Sequence, residues 1–262
     1  IMTLGDRAKI AAFCLDYGRG TELEGYLRRA TARQIETPLQ ERLEEQFGYG
    51  YQFWRVRNGG FCMYGMGGQL AVCFPQYKTV LCTIADTQLD PNGVQKIYDA
   101  FWQEIWPCLA GGAPSPSGGG EALSERLQTL AMKPVNNDFA FAAPLGREYA
   151  FSSNSSGLGY LCLTDGELAF ENASVRHTLP FGTGSWASAV FPGTQQPCIA
   201  SGGWIAPGLF RLQCHLIGDS PCGMELLLSF LGDAVTVQMR SVRNSPVQKF
   251  SGIASGKAVE NR

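Results

Sequence analysis

The sequence predicts an α+β chain: an antiparallel sheet flanked by helices, then a small all-β sandwich or barrel. Three observations carry this. The apolar period changes from helical spacing to strand alternation near residue 49. A Gly/Ser/Pro stretch, AGGAPSPSGGG at residues 110–120, has nothing to bury and marks a linker between a first domain, 1–109, and a second, 121–262. Beyond residue 134, short strands and glycine turns follow one another without helices, the pattern of a sandwich or barrel.

Taken in order, Thr3 caps a first helix with Asp6 three residues on, near the positive end of its dipole, and Gly18-Arg19-Gly20 ends it. A second short helix spans about residues 22–32. Aromatic and β-branched runs at 49–57, 60–64, 69–74 and 79–85 predict an antiparallel meander, with Asn58-Gly59 as a hairpin signal. A helix over 92–106 places Val94, Ile97, Tyr98, Phe101, Ile105 and Trp106 on one face, which packs on the sheet. One more helix is expected over 121–132. Strands follow at 160–163, 167–170, 210–216, 224–230 and 235–239, with Trp186 and Trp204 expected to plug the ends of the second domain.

Composition narrows the function classes. Hydrophobic residues make up 45% of the 262 and charged ones 17%, enough for packed cores. A net charge of -2 with no basic run gives no counterion-release drive for nucleic acid, and no apolar stretch is long enough to span a membrane as a helix. With 2 His, metal and acid–base chemistry have little to use, and no cofactor is expected. The 9 Cys form no C-x-x-C pair and are odd in number, so free buried thiols in a reducing, cytoplasmic compartment are expected. Ile1 ahead of Met2 suggests a fragment or a processed start.

The run Gly48-Tyr49-Gly50-Tyr51-Gln52-Phe53-Trp54, then Gly65-Met66-Gly67-Gly68-Gln69 and Phe74-Pro75, resembles the C-terminal part of the serine β-lactamase-related hydrolases: class C β-lactamases, penicillin-binding proteins and esterases. The resemblance covers residues 2–107. It implies a partial β-lactamase-like domain, with Met66-Gly67-Gly68 where the family has K-T-G and the Gln69 N–H as an oxyanion donor. Glycines there would let an acyl group approach closely. Tyr49, Tyr51 and Tyr64 are candidate walls of a cleft.

The family's nucleophile and base are absent. No Ser has a Lys three residues on, and no Tyr-x-Asn occurs. Ser152-Ser153-Asn154 matches S-x-N but lies in a polar turn beyond the linker, so no catalytic residue is assigned. The resemblance therefore implies an inactive C-terminal portion of a hydrolase. Its partner would be the missing N-terminal part, or a second copy docked on an exposed sheet face. The alternative is a non-catalytic ligand- or partner-binding module. A third reading, a metal or redox protein, rests on Cys198, Cys214, His215 and Cys222, whose spacing fits no usual zinc pattern. His177 is expected in a solvated loop.

Overall fold

The computed structural model describes all residues except 1, 112–118, 142–143, 173, 219–221, 243–244, 246, 248–249 and 260–262. Most of the expected linker, 110–120, lies outside the described residues. The chain divides into two compact units, Ile1–Gly119 and Gly120–Arg262.

In the first unit, helix α1 (Leu4–Leu15) opens on a reciprocal cap. The Asp6 amide donates to Thr3 Oγ1 at 3.1 Å, and the Thr3 amide donates to the Asp6 carboxylate at 3.1 Å. Helix α2 (Glu24–Thr31) follows, with Arg28 and Arg29 in its last turn, where the dipole favours cations. The sheet is a four-stranded meander of β1 (Trp54–Arg55), β2 (Phe61–Gly65), β3 (Gln69–Phe74) and β4 (Thr79–Thr83), paired in that order. Phe61, Ala71 and Cys73 on one face pack against Ala11 and Cys14 of α1 and Leu27 and Ala30 of α2.

The opposite face, with Cys62, Leu70, Val72 and Phe74, packs against Val94, Tyr98 and Phe101. These come from α3 (Gly93–Ala100) and the turn after it, as the helical period predicts. Between Phe101 and Ile105 the helix widens to a π turn before resuming as α4 (Trp106–Ala110). Pro107 explains the change, since it has no amide to donate back into the previous turn. Because helices cover both faces of the sheet, the exposed sheet face expected to recruit a second copy does not exist.

The expected strand over 49–57 shrinks to Trp54–Arg55. Gly48 at φ 104 and Gln52 at φ 64 bend the chain out of the extended region. A Cβ on Gly50 would sit 2.0 Å from the Ala30 carbonyl oxygen, so this segment is a tight turn pressed on the end of α2. The strand alternation expected over 49–53 is lost with it.

The second unit begins with α5 (Gly120–Gln128), none of whose residues is buried. Strands β5 (Glu148–Phe151), β6 (Leu158–Leu163), β7 (Glu167–Asn172), β8 (Val175–Pro180), β9 (Gly182–Thr183), β10 (Ala187–Val190), β11 (Pro197–Ala206), β12 (Leu209–Leu216), β13 (Cys222–Leu231), β14 (Ala234–Ser241) and β15 (Gly252–Ala258) follow. They form one sheet in the order β10-β11-β12-β13-β14-β15-β5-β6-β7-β8, with β9 parallel to β11. The end strands β8 and β10 lie against each other, so the sheet curls into a near-closed barrel, not a sandwich.

Alternation supplies the interior. Phe210, Leu228, Val237 and Ala254 stand in one cross-strand row, and Leu212, Leu226 and Met239 in the next. Trp204 is buried among Phe141, Phe210 and Phe230. His177 lies within β8 beside the Phe170 ring, correcting the loop expected for it. Among the described residues, the gap between Leu161, Phe170, Met224 and Phe250 is about 10 Å³, less than a water requires.

Candidate functional site

A large cleft lies in the first unit, where the end of α2 meets β1. It measures about 570 Å³ and is lined by Arg28, Arg33, Arg55 and Arg57, with Tyr17, Phe47 and Asn58 among its other walls. Small-molecule sites commonly occupy roughly 300–1,000 Å³.

Each guanidinium is held differently. Arg28 pairs with Glu24 one turn earlier at 2.8 Å and lies 4.6 Å over the Tyr17 ring. Arg33 pairs with Glu36 at 3.0 Å, both well exposed, a kind of contact that contributes little stability. Arg57 pairs with Glu44, which is nearly fully buried and also accepts from Trp102 Nε1 at 2.8 Å. The Arg57 guanidinium stacks 4.9 Å over the Trp102 ring, and its buried Nε has no hydrogen-bond partner.

Arg55 is the exception. Its Nη1 donates to the Thr31 carbonyl at 2.8 Å and its Nη2 to the Gly59 carbonyl at 2.9 Å. Both acceptors are neutral, and the first is a carbonyl at the end of α2, one the helix's own bonds leave unpaired. No carboxylate pairs with Arg55 among the described residues. Burial holds its pKa below the ordinary arginine value, against an upward pull from Tyr17, and neighbouring Arg33 adds to the lowering. It remains a cation, as arginine does throughout the working pH range.

The residues singled out by sequence lie elsewhere. Met66, Gly67 and Gly68 form the hairpin turn between β2 and β3, with Met66 73% exposed. Gly67 at φ 77 and Gly68 at φ 91 supply the left-handed backbone this turn needs. A Cβ on Gly68 would also sit 2.7 Å from Ile97 Cδ1, so close packing demands glycine there. The Gln69 side chain accepts from Arg7 Nη2 at 2.9 Å. Gln69 and Tyr64 share the wall of a second cleft, of about 240 Å³, with Arg7 and Met63.

The three tyrosines are held by different partners. Tyr49 sits edge-on to Trp54, Tyr51 tilts against Tyr26, and the Tyr64 hydroxyl accepts from Arg42 Nη1 at 2.9 Å. None of them lines the arginine cleft. Burial pushes the Tyr64 phenol up, and Arg42 opposes that.

Asn154 of the S-x-N triplet folds its own loop, accepting from the Ser156 and Leu158 amides at 3.2 Å. Cys198, Cys214 and Cys222 are buried, and His215 stacks on Trp186. Among the described residues no group of three or more His, Cys, Asp or Glu is placed to hold a metal.

Comparison with known proteins returns no matching family model and no matching curated protein. Among solved structures, the fatty-acid-binding protein of Manduca sexta matches at 12% identity over 44% of this chain and 98% of its own, with a TM-score of 0.29. At that identity and score the match assigns neither function nor ligand here. The expected membership of the serine β-lactamase-related hydrolases is corrected: no family model and no curated protein matches the chain, and Met66-Gly67-Gly68, expected at the family's K-T-G position, is a hairpin turn. The hydrolase activity falls with it. No described helix is long and apolar enough to cross a membrane.

Sequence reasoning missed the arginines because it looked for charge runs. They come from two separate stretches, Arg28 to Arg33 and Arg55-Val56-Arg57, that only tertiary packing joins. The one Arg-x-Arg, Arg55-Val56-Arg57, at the end of the run expected as a strand was the available signal, since residues two apart on a strand share a face.

Proposed function

We propose that this chain is a non-catalytic ligand-binding module whose site is the arginine-lined cleft of the first unit. The observation that carries the reading is a cleft of about 570 Å³ with four guanidiniums on its walls, one of them, Arg55, without a carboxylate partner among the described residues. Guanidiniums stay protonated, so they hold and orient anions rather than shuttle protons. The gap described among the barrel residues Leu161, Phe170, Met224 and Phe250 is only about 10 Å³, which favours the cleft as the container.

Isothermal titration at low salt with small organic and inorganic anions tests this. Saturable one-to-one binding that weakens about tenfold or more in Arg33→Glu, an exposed position, is the expected result. Binding that is indifferent to that reversal would place the site elsewhere.

A further inference from the structure

The charges around the cleft narrow the ligand further, on the assumption that the cleft is the binding site. Three of the four guanidiniums face a carboxylate each: Arg28 with Glu24, Arg33 with Glu36 and Arg57 with Glu44. Only the Arg55 charge is left without one, so these seven side chains sum to one positive charge. A ligand carrying several negative charges would have to break protein ion pairs to be matched. A single negative charge is matched as the cleft stands.

Arg55 is also prepared for it. Its two bonds to the Thr31 and Gly59 carbonyls fix the guanidinium plane and use two of its five N–H donors, leaving others to meet a carboxylate. The cleft is far larger than a carboxylate. At about 570 Å³ it equals roughly twenty times the ~30 Å³ share of one water. Its remaining walls include the exposed ring of Phe47, a surface against which a flat apolar body packs.

We infer that the cleft takes a monoanionic carboxylate with a flat, apolar body, its carboxylate on Arg55 and its body against Phe47.

The test uses four probes on the full chain by isothermal titration at low salt: 2-naphthoate, acetate, pyrophosphate and the neutral 2-naphthalenemethanol. Naphthoate is expected to bind at least tenfold more tightly than each of the others and to lose at least tenfold in Arg55→Gln. If that variant fails to keep the wild-type melting temperature, Glu36→Gln serves instead. It is exposed, leaves Arg33 unpaired, and is expected to improve pyrophosphate binding several-fold relative to naphthoate.

Pyrophosphate binding most tightly to the wild type, or the neutral alcohol matching naphthoate, overturns the carboxylate assignment and leaves the cleft standing. No binding by any probe, or binding that ignores all of the arginine and glutamate changes, overturns the cleft itself.

Discussion

Both units are antiparallel sheets with buried faces, yet the gaps described in them differ in size. The second unit rolls its sheet on itself, and inward side chains such as Leu161, Phe170, Met224 and Val237 leave a gap of about 10 Å³ between them. The first unit instead covers a flat meander with helices. Where α2 ends against β1 it leaves helix carbonyls to be satisfied and a gap of about 570 Å³. Self-closure of a sheet fills its interior, whereas helix-on-sheet packing leaves seams at the helix ends. Those seams recruit cations, because carbonyls and the helix dipole favour them.

The comparison breaks most visibly in the barrel core. Leu161→Ala, at a position 1% exposed, is expected to destabilise the fold by about 2–5 kcal/mol through lost burial and an unfilled cavity, while cleft affinity stays unchanged. Chemical denaturation and titration of the same preparation check both halves. A parallel fall in affinity would show that the two regions are not separate in function.

Glu44→Gln acts on the first unit. It leaves the half-buried Arg57 without its carboxylate and is expected to destabilise the fold by about 1–3 kcal/mol. It also raises the charge of the cleft by one, so pyrophosphate binding should tighten while stability falls. Weaker pyrophosphate binding in this variant would separate the Arg57 charge from the site.

The smallest effect is a pH dependence in the barrel. Burial, then the hydrogen bond to Glu148, push the Tyr160 phenol up to about 12. Folded Tyr160 thus holds its proton more tightly than the unfolded chain does. Its contribution is fully present below pH ~10 and is lost as the pH rises toward about 12. Denaturation midpoints between pH 9 and 11.5 should fall less steeply in Tyr160→Phe than in wild type, whereas near pH 7 the variant should be offset downward with the same pH slope as wild type. Equal slopes would remove Tyr160 from the alkaline transition.

Much of the fold was legible in the chain. The i, i+4, i+7 spacing of Val94, Tyr98 and Phe101 set which helix face meets the sheet, and the alternation in β12 and β14 set the barrel interior. Residues 49–53 were misread because their conformation depends on a neighbour. Gly50 lies against the Ala30 carbonyl, a contact no local pattern encodes. The paired glycines after Met66 were given a catalytic meaning when positive φ and the nearby Ile97 side chain already account for them. The cleft stayed hidden because its arginines lie more than twenty residues apart in sequence and meet only after α2 packs on β1.

The central claim is that ligand binds in the first unit and not in the barrel. Co-crystallisation with 4-iodobenzoate, a monoanion carrying a flat body and an anomalous scatterer, tests it directly. The account predicts an iodine peak in the cleft with the carboxylate on Arg55. An iodine peak inside the barrel, displacing the side chains around Phe170 and Met224, would contradict it.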